Sequence, residues 1–241
     1  MFTFNKEKHY YELDGKRLYG ITNVLGVISK PALIQWSANE AVKYIKENSS
    51  GYEMFEGEQT KFLSGVTDEL LEKARFAHRV KKEDAADKGH DIHSEIETLV
   101  LEAIKSNQGY LQGTSENPQI QHFIDWAVNN KIKFLETEKR TYSKEFWLGG
   151  TIDLVFEKDG KTYIGDIKTY AKIWDRVPFL QCAGYGLMLS EHGQEIAGYC
   201  VLLLTKDGRF EEAWSYDVEG DKQGFLGALT LFKQLETFKT K

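Results

Sequence analysis

Asp166 and Lys168 stand two residues apart at the end of the apolar run Tyr163-Ile164-Gly165. On an extended strand, residues i and i+2 project to the same face, so a carboxylate and an ammonium share one side of a sheet. A second carboxylate, Asp153, closes the segment Gly149-Gly150-Thr151-Ile152-Asp153 and is followed by Leu154 and Val155, one strand earlier. Two carboxylates among apolar residues on neighbouring strands repel each other and lack water. A divalent cation between them removes both penalties, and such a pair beside a lysine is equipped for metal-assisted hydrolysis. The alternative use of the same residues is structural, with Lys168 neutralising one aspartate at a sheet edge. Asp-x-Lys alone does not separate the two, because Asp14-Gly15-Lys16 and Asp159-Gly160-Lys161 share it where Asp-Gly favours a turn.

The spacing of apolar and turn residues predicts the elements that must carry these groups. Residues 1 to 20 alternate and break at Asp14-Gly15, as a small hairpin does. Helical periodicity runs from Thr22 to about Asn48, with Pro31 suited to a first turn. Residues 49 to 66 read as a glycine-rich loop. Thr67 resembles an N-cap for a helix reaching Ser106 with a break near Lys81, and Pro118 starts another to about Asn130. Strands follow at 132 to 142, 146 to 156 and 161 to 167, then a helix from Asp175 to His192. Tyr199 to Leu204 and Phe210 to Tyr216 are further strands, and Lys222 to Phe238 is an amphipathic helix. This is an α/β order: residues 1–130 as an N-terminal hairpin and helical lobe, and 131–241 as a sheet core with flanking helices, packed as one unit.

Composition narrows the classes. The chain has 241 residues, 37 acidic and 31 basic, for a net charge of −6. A protein that grips nucleic acid by charge alone is usually basic, so a nucleic-acid partner here requires a local basic surface or a bound metal. Two cysteines are too few for a disulfide framework or a four-cysteine iron–sulfur or zinc site. No apolar run approaches the ~20 residues that span a bilayer, and Met1 to Tyr10 lacks the apolar segment of a secretory signal. A cytoplasmic protein without a membrane partner is the expectation.

Five ordered motifs carry a resemblance. Gly-Thr-Ile-Asp153, Asp166-Ile-Lys168 and Gln181-Cys-Ala-Gly-Tyr185 follow one another along strand, strand and helix. Upstream stand Gly89-His90-Asp91-Ile92-His93 through Glu97, and Glu138 before Arg140-Thr141-Tyr142-Ser143. In this order they resemble the PD-(D/E)XK nuclease superfamily in its RecB-like, phage-type exonuclease branch, over most of residues 20 to 205. Ile152 stands where the superfamily's name places proline. The resemblance implies a restriction-endonuclease-like core with a central mixed β-sheet flanked by helices. It implies one or two Mg²⁺ or Mn²⁺ ions held by Asp153, Asp166, the Ile167 carbonyl and His93, with His90 the competing histidine, and no iron–sulfur cluster. Lys168 would orient or help deprotonate the attacking water, Glu138 would serve a second metal or its water, and Glu97 would orient His93. Gln181 and Tyr185, which share a helix face, would look toward the substrate strand.

The expected activity is metal-dependent hydrolysis of DNA from an end, in phage or prophage recombination or repair within a bacterial host cell. The partners would be linear DNA, single- or double-stranded, and a single-strand annealing or binding protein. Lys139, Arg140, Lys144, Lys172 and Arg176 are candidate phosphate contacts, and Trp147, Tyr170 and Trp174 candidate stacking residues. The alternatives are a structure-specific endonuclease of the same fold, a non-catalytic DNA-binding recombination partner, and a metal enzyme acting on another substrate. No phosphate-loop signature is present, so no motor is expected.

Overall fold

A computed structural model describes residues 1–28, 30–54, 61–170, 172–173 and 175–239. Trp174 lies outside them, as does the side chain of His90. The chain is mixed α/β and divides into two compact units, Met1–Ile28 with Gly89–Lys241, and Ser29–Lys88. They part at residues 28/29 and 88/89, not at residue 130, so His93 belongs to the same unit as the sheet.

The larger unit begins with β1 (Phe2–Asn5), β2 (Tyr10–Leu13) and β3 (Lys16–Arg17), an antiparallel three-stranded sheet whose second turn is Asp14-Gly15. Next come β4 (Tyr19–Gly20) and the short helix α1 (Ile21–Leu25). The central sheet is built from β7 (Lys133–Ser143), β8 (Leu148–Lys158), β9 (Lys161–Lys168), β10 (Gly198–Leu204) and β11 (Phe210–Ser215), with β4 beside the start of β8. Among the described residues, β9–β10 and β4–β8 pair in parallel and the other pairs of this sheet are antiparallel. The β8–β9 turn places Asp159 and Gly160 at φ of 52° and 72°, the left-handed pair that a two-residue hairpin requires.

Apolar residues fill both faces of this sheet. Ile152, Val155, Ile164 and Val201 join α5 (Val177–Glu191) and α6 (Val218–Lys239) in one cluster. Leu154, Phe156, Ile167 and Leu202 join the other, with Ile92, Ile96 and Val100 of α3 (Asp68–Ser106) and Phe123 of α4 (Pro118–Asn129). Ile152 and Leu154 share parity along the strand yet fall in different clusters, so the alternation of β8 slips at Asp153.

Helix starts follow local chemistry. The Asn117 side chain accepts from the Gln119 amide at 3.1 Å with Pro118 in the first turn, and Thr67 Oγ1 accepts from the Leu70 amide at 3.2 Å. α3 is continuous, without the break expected near Lys81. In the smaller unit, α2 (Pro31–Asn48) faces the first part of α3, where Lys81 pairs with Glu40. Between them β5 (Gly51–Met54) and β6 (Lys61–Ser64) form a hairpin within the segment expected to be loop. No described helix is long and apolar enough to cross a membrane.

Candidate metal centre

β9 pairs with only half of β8. The ladder runs from Lys158↔Lys161 to Leu154↔Gly165 and stops, and β8 then pairs with β4 at Leu148 and Gly149. Asp153 and Asp166 are the first residues beyond that ladder, so both stand at the fork where the strands separate. The backbone amide of Ile167 bridges the fork by donating to Asp153 Oδ2 at 2.8 Å. The Ile167 amide is thus tied to Asp153 across the fork.

Two further groups converge on Asp153. Glu138 lies between the β7–β8 pairs Thr137↔Leu154 and Lys139↔Ile152 and has φ of 46°, left-handed for a non-glycine residue. His93 rises from α3, whose apolar residues Ile92 and Ile96 are buried against the sheet, and its Nδ1 lies 3.8 Å from Asp153 Oδ2. Ligand atoms of His93, Glu138 and Asp153 all lie within 4.8 Å of one another. α3 approaches this closely because Gly89, one turn before His93, has no Cβ; an added one would stand 2.9 Å from Thr169 Oγ1, directly after Lys168.

The electrostatics of the cluster favour a proton or a cation over two bare carboxylates. Burial pushes the Glu138 carboxyl up to about 7, and the charges of Asp153 and Glu97 push the same way against Arg140. One imidazole and two carboxylates are donors for a small divalent ion. At metal–oxygen bonds of ~2.0–2.1 Å, neighbouring ligands stand about 3 Å apart and opposing ones about 4 Å, so the three groups would draw together around an ion.

Asp166 belongs to a second group, on the α5 side. It is 1% exposed. Lys168 Nζ donates to its Oδ1 at 2.7 Å, and the Gln181 amide donates to the same oxygen at 3.0 Å. Gln181 Nε2 also lies 3.0 Å from the Tyr185 hydroxyl, and Gln181 Oε1 accepts from Lys168 at 3.3 Å. Asp166 Oδ2 stands 2.6 Å from Lys168 Nζ but accepts no well-formed hydrogen bond. Burial and the nearby Asp153 raise the Asp166 carboxyl above the ordinary aspartate value, against the pull of Lys168. Burial also works against the Lys168 ammonium, but Asp166 and Asp153 outweigh it and hold its pKa above the ordinary lysine value.

The sequence pairs Asp153 with Asp166 around one ion; the structure gathers His93, Glu138 and Asp153, and holds Asp166 among Lys168 and Gln181. Lys172 is exposed on the segment after β9. Arg176 donates to Asp221, 2% exposed, and to Ser215, while its own side chain remains 60% exposed. Trp147 donates to the Arg17 carbonyl and braces the N-terminal hairpin instead of standing free. Tyr170 is half-exposed beside Lys168, and burial raises its hydroxyl to about 12.

Sequence reasoning missed Tyr11. Its hydroxyl is 2.8 Å from Thr151 Oγ1, and a Cβ on Gly149 would stand 2.6 Å from its own Cβ. On the other face, a Cβ on Gly150 would meet Tyr185 Cε1 at 2.8 Å and Met188 Cε at 3.0 Å. The glycine pair admits a tyrosine on each side of β8, only a few residues before Asp153. Gly150→Ala is expected to cost about 1–3 kcal/mol by overpacking, about 2–12 °C in melting temperature, and to push Tyr185 away from Gln181. A calorimetric melt of the variant checks this; an unchanged melting temperature would show that the contact is not tight.

No protein-family model matches the sequence, and no curated protein matches it. Among solved structures, one described as "Crystal structure of SSO0001" has 15% identity over 60% of this chain and 70% of its own, with a TM-score of 0.30. That likeness is too slight to assign a fold family.

Proposed function

We propose that this chain is a metal-dependent nuclease of the PD-(D/E)XK, RecB-like type, hydrolysing phosphodiester bonds of DNA from an end. The observation that carries this reading is the His93–Glu138–Asp153 cluster at the β8–β9 fork, with the Asp166–Lys168 ion pair one residue beyond the same ladder. The cluster would hold Mg²⁺ or Mn²⁺. Such an ion, when bound, lowers the pKa of water and neutralises charge on a phosphate.

The chain's own groups do the rest. Lys168, kept protonated by its carboxylate neighbours, presents a fixed positive charge where a phosphate oxygen gains negative charge. Asp166 holds that ammonium in place, Gln181 holds both, and the buried Tyr185 fixes Gln181. A preorganised chain of this kind requires no rearrangement at the moment of reaction. Lys172 and Tyr170 continue the same strand exit toward the substrate. Action in the cytoplasm, on linear DNA and beside a single-strand annealing or binding protein, follows from the same reading.

The test uses end-labelled linear duplex, linear single strand and covalently closed circular DNA, each with Mg²⁺, Mn²⁺ or EDTA. Loss of linear DNA alone, abolished by EDTA, is the expected result. Cutting of the circle would replace the exonuclease with an endonuclease. Absence of metal-dependent cleavage of every DNA would overturn the reading.

A further inference from the structure

A second feature lies beside the metal centre without belonging to it. Between the N-terminal hairpin and β8 is a recess of about 150 Å³. Its walls include Tyr10 and Arg17 of the hairpin, Asn23 of α1, Thr151 of β8, and Tyr185. Sites for whole cofactors measure roughly 300–1,000 Å³, so this one fits a single ring system.

Its chemistry is planar and cationic. The Arg17 guanidinium lies 4.9 Å from the centre of the Tyr10 ring, and Arg140 lies 4.8 Å over Phe4. Phe4 stacks on Tyr11 at 4.8 Å. Both arginines are exposed, and among the described residues neither forms an ion pair with a carboxylate. Asn23 adds an amide with donors and an acceptor, the complement of a base edge. The Tyr11–Thr151 hydrogen bond anchors this surface two residues before Asp153.

Resting on the nuclease reading, we infer that the recess receives the unpaired terminal base of the DNA strand, so that the site acts on frayed or single-stranded ends. Aromatic rings and guanidinium planes take up a base through its π-face, and a recess of about 150 Å³ has room for one base but not for a base pair, so the base must be unpaired. Every base has such a face, so the subsite tolerates sequence while rejecting an end that lacks a base.

The test reads binding without chemistry. Wild-type protein in EDTA is titrated with single-stranded oligonucleotides carrying 2-aminopurine at the 5′ end, the 3′ end or the middle, and with oligonucleotides abasic at one end. Quenching of 2-aminopurine at one end but not in the middle is expected. The matching abasic end should weaken binding roughly 5–150-fold, the range that base–aromatic stacking spans. Arg17→Ala and Tyr10→Ala should each abolish that discrimination while leaving the Mn²⁺-induced rise in melting temperature intact.

No end-specific quenching, equal affinity for abasic ends, or discrimination that survives both substitutions would overturn the inference. Metal-dependent cleavage of the same oligonucleotides, assayed in parallel, tells the two failures apart. Cleavage without discrimination removes the subsite alone, whereas no cleavage removes the nuclease reading.

Discussion

Glu138→Gln stabilises the metal-free protein and weakens its metal binding. The Glu138 carboxyl sits near 7 because burial and two neighbouring carboxylates disfavour its charge. A folded-state pKa above the unfolded value means that the folded chain holds its proton longer. The stability this gives is complete below about pH 4.5 and is lost as pH rises toward 7. The full shift corresponds to about 3 kcal/mol, but Glu138 is partly open to screening solvent, and about 1–2 kcal/mol is the discounted expectation. In EDTA at pH 8, Glu138→Gln should melt about 2–8 °C above wild type, and the gap should close at pH 5. With Mn²⁺ the order reverses, because a ligand at one hundred times its dissociation constant adds about 2.7 kcal/mol to the protein that binds it. Thermal melts at both pH values, with and without Mn²⁺, make the comparison. A variant less stable than wild type in EDTA would mean that Glu138 is a structural glutamate.

Lys168→Met has the largest expected cost in stability. It leaves Asp166, almost wholly buried, with only the Gln181 amide for a partner. Breaking a buried pair from one side typically costs about 3–5 kcal/mol, here on the order of 10 °C in melting temperature. The double variant Asp166→Asn with Lys168→Met removes both charges and should recover most of that loss. Activity should separate from stability: both proteins lose the fixed cation, and removal of one transition-state donor typically costs about 10²–10³ in turnover. Single-turnover cleavage and calorimetry on the same preparations check both. A double variant that regains activity with stability would show that Lys168 serves only to neutralise Asp166.

The sheet was legible because its strands announce themselves. β8 and β9 carry apolar runs joined by Asp159-Gly160, and β10 is a short, wholly buried run that ends in four aliphatics. The hairpin β5–β6 was hidden by glycines and polar residues that read as loop. The site was legible only in part. Asp153, Asp166 and Lys168 stand out because charges on apolar strands are costly, whereas the meeting of Glu138 with His93 depends on a left-handed backbone at Glu138 that no local signal marks. Helical spacing left His90 and His93 as rivals three residues apart. The engagement of Arg176 by Asp221, and of Tyr11 by Thr151, joins residues 45 and 140 positions apart, distances over which periodicity carries no information.

The central claim is that His93, Glu138 and Asp153 together hold a divalent cation. Pulsed electron paramagnetic resonance on the Mn²⁺-loaded protein tests it at the ligand itself, through the modulation that a directly bound imidazole nitrogen imposes on the Mn²⁺ signal. Nitrogen coupling in the wild-type protein is the predicted result, lost in His93→Gln, with bound Mn²⁺ lost in Asp153→Asn. A bound Mn²⁺ without nitrogen coupling, or coupling that persists in His93→Gln, would contradict it.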